Sequence, residues 1–340
     1  MRFDTLLVFD HSFNHLLLIT HLDLSTGQSV DEAYAAAERE LKQLEHRLRW
    51  PSAPKLVEVA DSPELDFRSH TPRAEFEAGV EQIKSYIRAG DIFQAVPSQR
   101  LSAPLVVSPQ QVYRSVRSLN PSPYMFNLRL GDASLVGASP EVLVGVEKGR
   151  VAVRPIAGTI HRGATAEEDQ ALGEELLNDP KERAEHVMLI DLGRNDIGRV
   201  CKPGSVHLDE QMTIERYSHV QHIVSHVSGD LRDDCDALDA LAAVHPAGTV
   251  SGAPKIRAMQ IIDELEPVKR GPYAGAVGYI DYRGNLDTCI ALRTAILAKG
   301  EVHVQAGAGV VADSQPEKEW QETMNKAQAM LRAIARAGQF

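Results

Sequence analysis

Residues 125–155, MFNLRLGDASLVGASPEVLVGVEKGRVAVRP, decide the fold class. Four short, aliphatic-rich runs (125–130, 134–137, 142–147 and 151–155) are interrupted by Gly131-Asp132 after the first and Lys148-Gly149 after the third. A glycine at such a break supplies the positive φ that a tight reversal needs, so each break reads as an antiparallel hairpin. Working outward, helical spacing recurs at 31–49, where Tyr34, Ala37, Leu41, Leu44 and Leu48 make one apolar stripe. Further helices are expected at 73–89, 109–119, 166–178, 180–192, 235–244, 254–265 and 316–337, and further strands at 5–9, 15–21, 274–281, 288–298 and 302–306. Strands and helices do not alternate strictly, so the expected class is α+β rather than a doubly wound parallel sheet. Pro51, Pro54, Pro63 and Pro72 punctuate a stretch without periodicity, the best boundary in the chain.

Composition narrows the function. The 340 residues are 43% hydrophobic and 24% charged, an ordinary globular balance. With 36 Lys+Arg against 47 Asp+Glu the net charge is -11, which argues against a nucleic-acid partner because phosphate binding needs a basic face. Cys201, Cys235 and Cys289 are too widely spaced for a disulfide framework or a zinc knuckle, so a reducing, cytoplasmic setting is expected. No apolar run is long enough for a membrane span, and no secretory signal is visible at the start. The chain has no HExxH, GxSxG or dinucleotide fingerprint.

Two helices carry carboxylates three residues apart. In DPKERAEH (179–186), Asp179 suits a cap and Pro180 the first helical turn, and Glu182 and Glu185 then share a face. Glu319 and Glu322 repeat the spacing beside the apolar stripe of the last helix. Acids near a helix N-terminus are also favoured by the helix dipole alone. Four carboxylates with no thiolate nearby, however, suit a hard cation such as Mg²⁺. Arg293 is equally anomalous, a lone cation in the apolar stretch DTCIALRTAIL (287–297). Asp287 is six residues away, roughly 20 Å along a strand, and cannot be its partner. Arg293 therefore belongs either to a core salt bridge or to a clamp for an anionic substrate. GTVSGAPK (248–255) runs into a helix start and AGAG (306–309) follows a strand; both offer backbone N–H groups to an anion without being a nucleotide P-loop.

Ordered motifs then identify a resemblance over about 73–336: GDIFQAVPS (90–98), GASPE (137–141), RPIAGT (154–159), KERAEHVMLIDLGRND (181–196), GTVSGAPKIRAMQ (248–260), GAVGY (275–279), DTCIALR (287–293) and the region 305–322. Together they resemble the chorismate-utilising enzymes, and among these the anthranilate-forming synthase subunits. The resemblance implies an antiparallel β-sandwich flanked by helices, with residues 1–60 a remnant of a larger N-terminal region and 61–340 the catalytic domain. It implies Mg²⁺ held by Glu185 and Glu322, with Glu182 and Glu319 close by. It implies Tyr273 and Arg293 on the pyruvyl-side carboxylate of chorismate, Gly307 and Gly309 offering backbone to the ring end, and Lys255 adding positive potential. Glu141 resembles the general acid for the departing C4 hydroxyl, His222 the histidine beside the reacting ring, and Thr249 a lining residue of the same pocket.

Two positions separate members of this family by chemistry. Isochorismate-forming relatives carry a lysine where this chain has Gln94, and glutamine cannot serve as a base at neutral pH. Aminodeoxychorismate-forming relatives carry a lysine where this chain has Ala157, next to Gly158 and Thr159; alanine leaves C2 of the ring open to ammonia. The resemblance thus implies conversion of chorismate and ammonia to anthranilate and pyruvate, the opening step of tryptophan biosynthesis, with a glutamine amidotransferase small subunit as partner in a homo- or hetero-oligomer. The alternatives are a sister enzyme that releases aminodeoxyisochorismate or aminodeoxychorismate, and an inactive chorismate-binding scaffold.

Overall fold

Gly131 and Gly149 both take positive φ, 61° and 79°. Each closes a hairpin: Tyr124–Leu130 pairs with Ala133–Ser139, and Val142–Glu147 with Arg150–Val153. In the computed structural model, which describes residues 1–50, 65–217 and 220–339, these two hairpins lie in different sheets. The chain crosses from one sheet to the other at Pro140-Glu141.

The first sheet has six strands in the spatial order Arg68–Ser69, Ser98–Pro104, Glu301–Gly307, Thr294–Ala298, Ala133–Ser139 and Tyr124–Leu130. The second runs Ile156–His161, Val220–Asp230, Arg150–Val153, Val142–Glu147, Leu286–Ile290 and Ala276–Ile280, with His207–Arg216 also paired to Val220–Asp230. All neighbours within each sheet are antiparallel. Phe126, Leu135 and Ile296 of the first sheet pack with Cys289 of the second, and this is the seam of the sandwich. Helices Pro109–Leu119 and Pro316–Ala335 cover the outside of the first sheet through Val112, Val116, Ala327, Met330 and Ile334. Helices Pro180–Gly198 and Ala237–Val244 cover the second through Ile190, Ile197, Ala240 and Val244. Helix layers outside two apolar sheets bury both faces of each, as the α+β class requires.

The stretch 288–298 departs from expectation. It is not one strand but two, Leu286–Ile290 in the second sheet and Thr294–Ala298 in the first, broken by Ala291, Leu292 and Arg293. Arg293 has φ 46°, a left-handed conformation that ends strand pairing. The apolar character is continuous because both strands are buried, so composition alone could not show the break. Strands Ser98–Pro104, Ile156–His161 and His207–Arg216 were also not visible in the sequence, since polar residues obscure their alternation.

Contacts divide the chain into residues 1–58 and 59–340. The first unit is the hairpin Thr5–Asp10/His15–Thr20 with helix Val30–Arg49, whose start is fixed by a capping box between Ser29 and Glu32. Leu6, Leu7, Phe9, Leu16 and Leu17 on the hairpin are exposed. The proline-punctuated boundary lies, from 51 to 64, outside the described residues. Among the described residues no helix is long and apolar enough to cross a membrane.

GTVSGAPK turns out to be a brace. Gly252 and Ala253 pair with Ala95 and Gln94, and Gly252 has φ 137°. A Cβ there would meet the Gln94 carbonyl oxygen at 2.1 Å and the Ala95 Cα at 2.8 Å. Gly252→Ala is therefore expected to cost roughly 2–4 kcal/mol through backbone clash and left-handed strain. The check is a lower urea midpoint with an unchanged m-value.

Candidate active site

Glu141 and Arg293 occupy the two crossovers between the sheets, and the crossovers run side by side. Ile290 N–H donates to the Glu141 carbonyl at 3.0 Å, and Ala138 N–H to the Arg293 carbonyl at 3.2 Å. The loop bearing Tyr273 is fastened to the same place, since Ala274 N–H donates to Ala291 O at 3.2 Å and Ala291 N–H to Gly275 O at 2.8 Å. An acid, a guanidinium and a phenol distant in sequence are thus brought together by backbone hydrogen bonds.

Their electrostatics are unusual. Burial pushes the Glu141 carboxyl up to about 7, although a hydrogen bond from Thr249 Oγ1 (2.7 Å) and the nearby Lys326 and Arg293 charges favour its ionised form. Arg293 is half-buried, and burial lowers its pKa while Glu141 opposes the shift. Among the described residues no carboxylate lies within salt-bridge distance of its guanidinium, and Glu141 is the acid whose charge bears on it. Asp287 is engaged elsewhere, accepting from the Tyr124 hydroxyl at 2.8 Å. Tyr273 is buried, its hydroxyl pushed up to about 12 chiefly by burial and accepting from the Gly307 N–H. The Arg270 guanidinium, 5.4 Å from the centre of its ring, holds the ring in place.

His222 sits on strand Val220–Asp230 opposite a bulge in Ile156–His161, where the register shifts between Ala157 and Ile160. Gly158 adopts φ 67° there, and its carbonyl lies 2.7 Å from His222 Nδ1. A carbonyl only accepts, so Nδ1 carries the proton and Nε2 keeps its lone pair. Thr159 Oγ1 is 3.2 Å from the same Nδ1. Burial lowers the imidazole pKa, with the Arg293 charge adding to the shift and the hydrogen bond to the Gly158 carbonyl opposing it.

The four acids come from two helices. Glu182 lies against the bulge, its Oε2 3.2 Å from where a Cβ on Gly158 would sit. Its carboxyl is raised by burial and by the charges of Glu185, Asp179 and Glu322; that of Glu319 is raised by burial and by Glu322. Gln94 Nε2 donates to Glu185 Oε1 at 3.3 Å, and a Cβ on Gly309 would meet the same nitrogen at 2.8 Å. Gln94 Oε1 is buried without a hydrogen-bond partner among the described residues. Among the described residues no three His, Cys, Asp or Glu side chains converge into a closed metal cluster. The donor types still suit a hard divalent ion: carboxylates from two helices, with the Glu322 charge acting on Glu182 and Glu319, and the orphaned Gln94 amide oxygen whose amide nitrogen donates to Glu185.

The structure gives Lys255 a different employment from the one expected. Its Nζ donates to both Asp196 oxygens (2.8 and 2.9 Å) and to Val244 O (2.8 Å), joining two helices, so its charge is neutralised rather than offered to an anion. Two residues escaped the sequence reading. Lys326, one turn after Glu322, places its ammonium 2.6 Å from Glu322 and 3.2 Å from the Gly307 carbonyl; its i,i+4 spacing was the available signal. His186 is fully buried, its Nε2 2.7 Å from Ser225 Oγ, and burial pushes its pKa down to about 4. It pins helix Pro180–Gly198 to strand Val220–Asp230 and so sets the direction of Glu182 and Glu185; no spacing rule distinguishes it from a surface histidine.

The family model described as chorismate binding enzyme matches residues 1–332. Anthranilate synthase component 1 of Pseudomonas aeruginosa is 54% identical over 339 residues, 99% of this chain and 68% of that protein. The protein of the same name from Aquifex aeolicus is 50% identical over 97% of this chain and 67% of its own length. The crystal structure of anthranilate synthase component I from Streptococcus pneumoniae superposes with a TM-score of 0.87 at 46% identity, covering 96% of this chain and 72% of that one. A putative 2,3-dihydroxybenzoate-specific isochorismate synthase from Bacillus anthracis gives a TM-score of 0.69 at 29% identity, over 80% of this chain and 75% of that one.

Proposed function

The chain belongs to the chorismate binding enzyme family, and from that premise we propose that it converts chorismate and ammonia to anthranilate, pyruvate and water. Relatives at about half identity along nearly the whole chain bear the name anthranilate synthase component 1, which makes this an enzyme of that type. The observation that carries the chemistry is the pairing of a carboxyl raised to about 7 with an unpaired, half-buried guanidinium on adjacent crossovers. The first is a proton donor near neutral pH; the second is a receptor for a substrate carboxylate.

In the first step ammonia bonds to C2 of the ring, the double bonds shift, and the C4–O bond breaks. Glu141 delivers the proton that lets the hydroxyl depart as water, and Thr249 holds its carboxyl in place. In the second step the C2 proton is lost, the C3–O bond breaks, pyruvate leaves as its enol, and the ring becomes aromatic. His222 presents an unprotonated Nε2 suited to take that proton. Arg293 and Tyr273 fix the pyruvyl-side carboxylate, and the Gly307 and Gly309 backbone borders the ring end. Glu185 and Glu322 would hold Mg²⁺, with Glu182 and Glu319 beside them; the ion would polarise the ring carboxylate and offset its charge. Gln94 in place of a lysine base disfavours hydration, and Ala157 leaves C2 open to the amine. Ammonia is supplied by a glutamine amidotransferase subunit, with free ammonium as its substitute in vitro.

Mixing protein, chorismate, ammonium and Mg²⁺ should give anthranilate fluorescence that a chelator abolishes and excess Mg²⁺ restores. Chorismate consumed without fluorescence would replace this reading with a sister activity whose product keeps the enolpyruvyl group. Mg²⁺-dependent chorismate binding without turnover would replace it with a scaffold.

A further inference from the structure

The proposed mechanism uses one constraint on the His222 ring and leaves another unemployed. The Gly158 carbonyl and Thr159 Oγ1 both meet the imidazole at Nδ1, at 2.7 and 3.2 Å. Contacts at one atom fix a point of the ring and leave its plane free to swing about that point. The second constraint is Tyr217. Its ring stands edge-on to His222, with centroids 5.5 Å apart and planes at 65°, the T-shaped arrangement that aromatic pairs favour. Tyr217 is itself tied down along its length. Its N–H donates to Val220 O at 2.8 Å, its carbonyl accepts from the Arg162 guanidinium, and its hydroxyl donates to Glu215 at 2.8 Å. Arg162 is held in turn by both oxygens of Asp169, and Glu215 by Arg154. Glu215 is also the cross-strand partner of His222, so the anchor of the phenol and the imidazole share one face of the sheet.

We infer that Tyr217 is a positioning residue for His222: its ring, anchored through Glu215 and Arg154, holds the imidazole plane so that Nε2 faces the C2 proton in the second step. Nε2 lies across the ring from the pivot at Nδ1 and so moves most when the plane tilts. An ion pair left about one-third exposed, as Arg154–Glu215 is, contributes little to stability by itself. Here it fixes the direction of the phenol. The first step takes its proton from Glu141, whose carboxyl is held by Thr249 instead. Loss of the Tyr217 ring should therefore slow the second step selectively, and the product of the first, aminodeoxyisochorismate, should escape. A residue that only supported the fold would slow both steps together. The inference rests on the reading of His222 as the base of the second step.

The test measures chorismate consumed and anthranilate formed in the same sample, with the full chain, ammonium and Mg²⁺, and identifies released aminodeoxyisochorismate by its mass. Tyr217→Leu is expected to lower anthranilate formation about 10- to 100-fold and chorismate consumption by less than about 3-fold, the cost of misplacing the one group that acts in the second step. The difference should appear as released intermediate. Tyr217→Phe keeps the ring and should recover most of the ratio of anthranilate to chorismate. Tyr217→Met serves the same purpose as the Leu variant if the latter folds poorly. Both rates lost in parallel, with Phe no better than Leu, would make Tyr217 a structural residue and overturn the inference. His222→Asn is assayed alongside. If it releases the intermediate while the Leu and Met variants keep the normal ratio, the positioning role alone falls. If it leaves the ratio unchanged, the reading of His222 as the base falls, and the inference with it.

Discussion

Glu141→Gln is expected to lower turnover by about 10²- to 10⁴-fold while leaving the chorismate dissociation constant within a few-fold of normal. Glutamine keeps the shape of the side chain and still accepts from Thr249 Oγ1, which lies 2.7 Å from Glu141 Oε1. It has no acidic proton to give the departing hydroxyl. The pH profile should carry the same signature. An acid catalyst works only while protonated, so with a pKa of about 7 the kcat/KM of the unaltered enzyme should decline as pH rises through that value. Stability should move in the opposite sense in the variant. The folded carboxyl holds its proton to about 7 against 4.5 for the ordinary group, so between these values the native state binds more protons than the unfolded one. Folding stability therefore decreases with rising pH across that window, by on the order of 3 kcal/mol for complete ionisation. Glutamine removes this dependence, and Glu141→Gln should be inactive yet more resistant to urea than the parent at pH 8. Retained turnover, or a variant less stable at pH 8, would exclude the acid role.

Much of this was readable in the residues themselves. The glycine reversals at 131 and 149 announced antiparallel pairing, and the two hairpins they close are present. The acid spacing placed Glu182 and Glu185 on one helix and Glu319 and Glu322 on another because a three-residue step on a helix is a fixed geometric relation. What resisted reading was long-range. A strand that changes sheets at Arg293 has the same apolar composition as one that does not. The backbone bonds joining residue 138 to 293 and 290 to 141 depend on how the two sheets stack, which local patterning does not encode. The pairing of Lys255 with Asp196 was hidden for a related reason: the two lie 59 positions apart, and no spacing rule links them.

Arg293→Met is the second substitution with a large expected effect, and its value lies in separating binding from folding. A guanidinium that supported the fold would be paired, and removing it would leave a buried carboxylate uncompensated at a cost of about 3–5 kcal/mol. Arg293 is instead half-buried, with no carboxylate in contact among the described residues and its pKa lowered by desolvation. Its backbone is also held at φ 46°, a conformation unfavourable for a residue with a side chain. Desolvation without a partner and an adverse φ both act against the folded state, and the proposed function accounts for them by an anion that binds only with substrate. Methionine matches the apolar stem and brings no charge into the seam. The variant should therefore unfold at an unchanged or higher urea concentration. Its kcat/KM for chorismate should nevertheless fall by roughly 30- to several-thousand-fold, corresponding to the 2–5 kcal/mol lost when one member of a desolvated, hydrogen-bonded charge pair is truncated. Arg293→Lys should recover little, since an ammonium does not reproduce the two parallel N–H donors of the guanidinium. The loss in the methionine variant should appear mainly in KM, with the basic limb of the pH profile moved upward because Glu141 loses a neighbouring positive charge. A marked fall in stability with catalysis intact would make Arg293 a structural ion of the crossover and remove the carboxylate clamp from the proposed site.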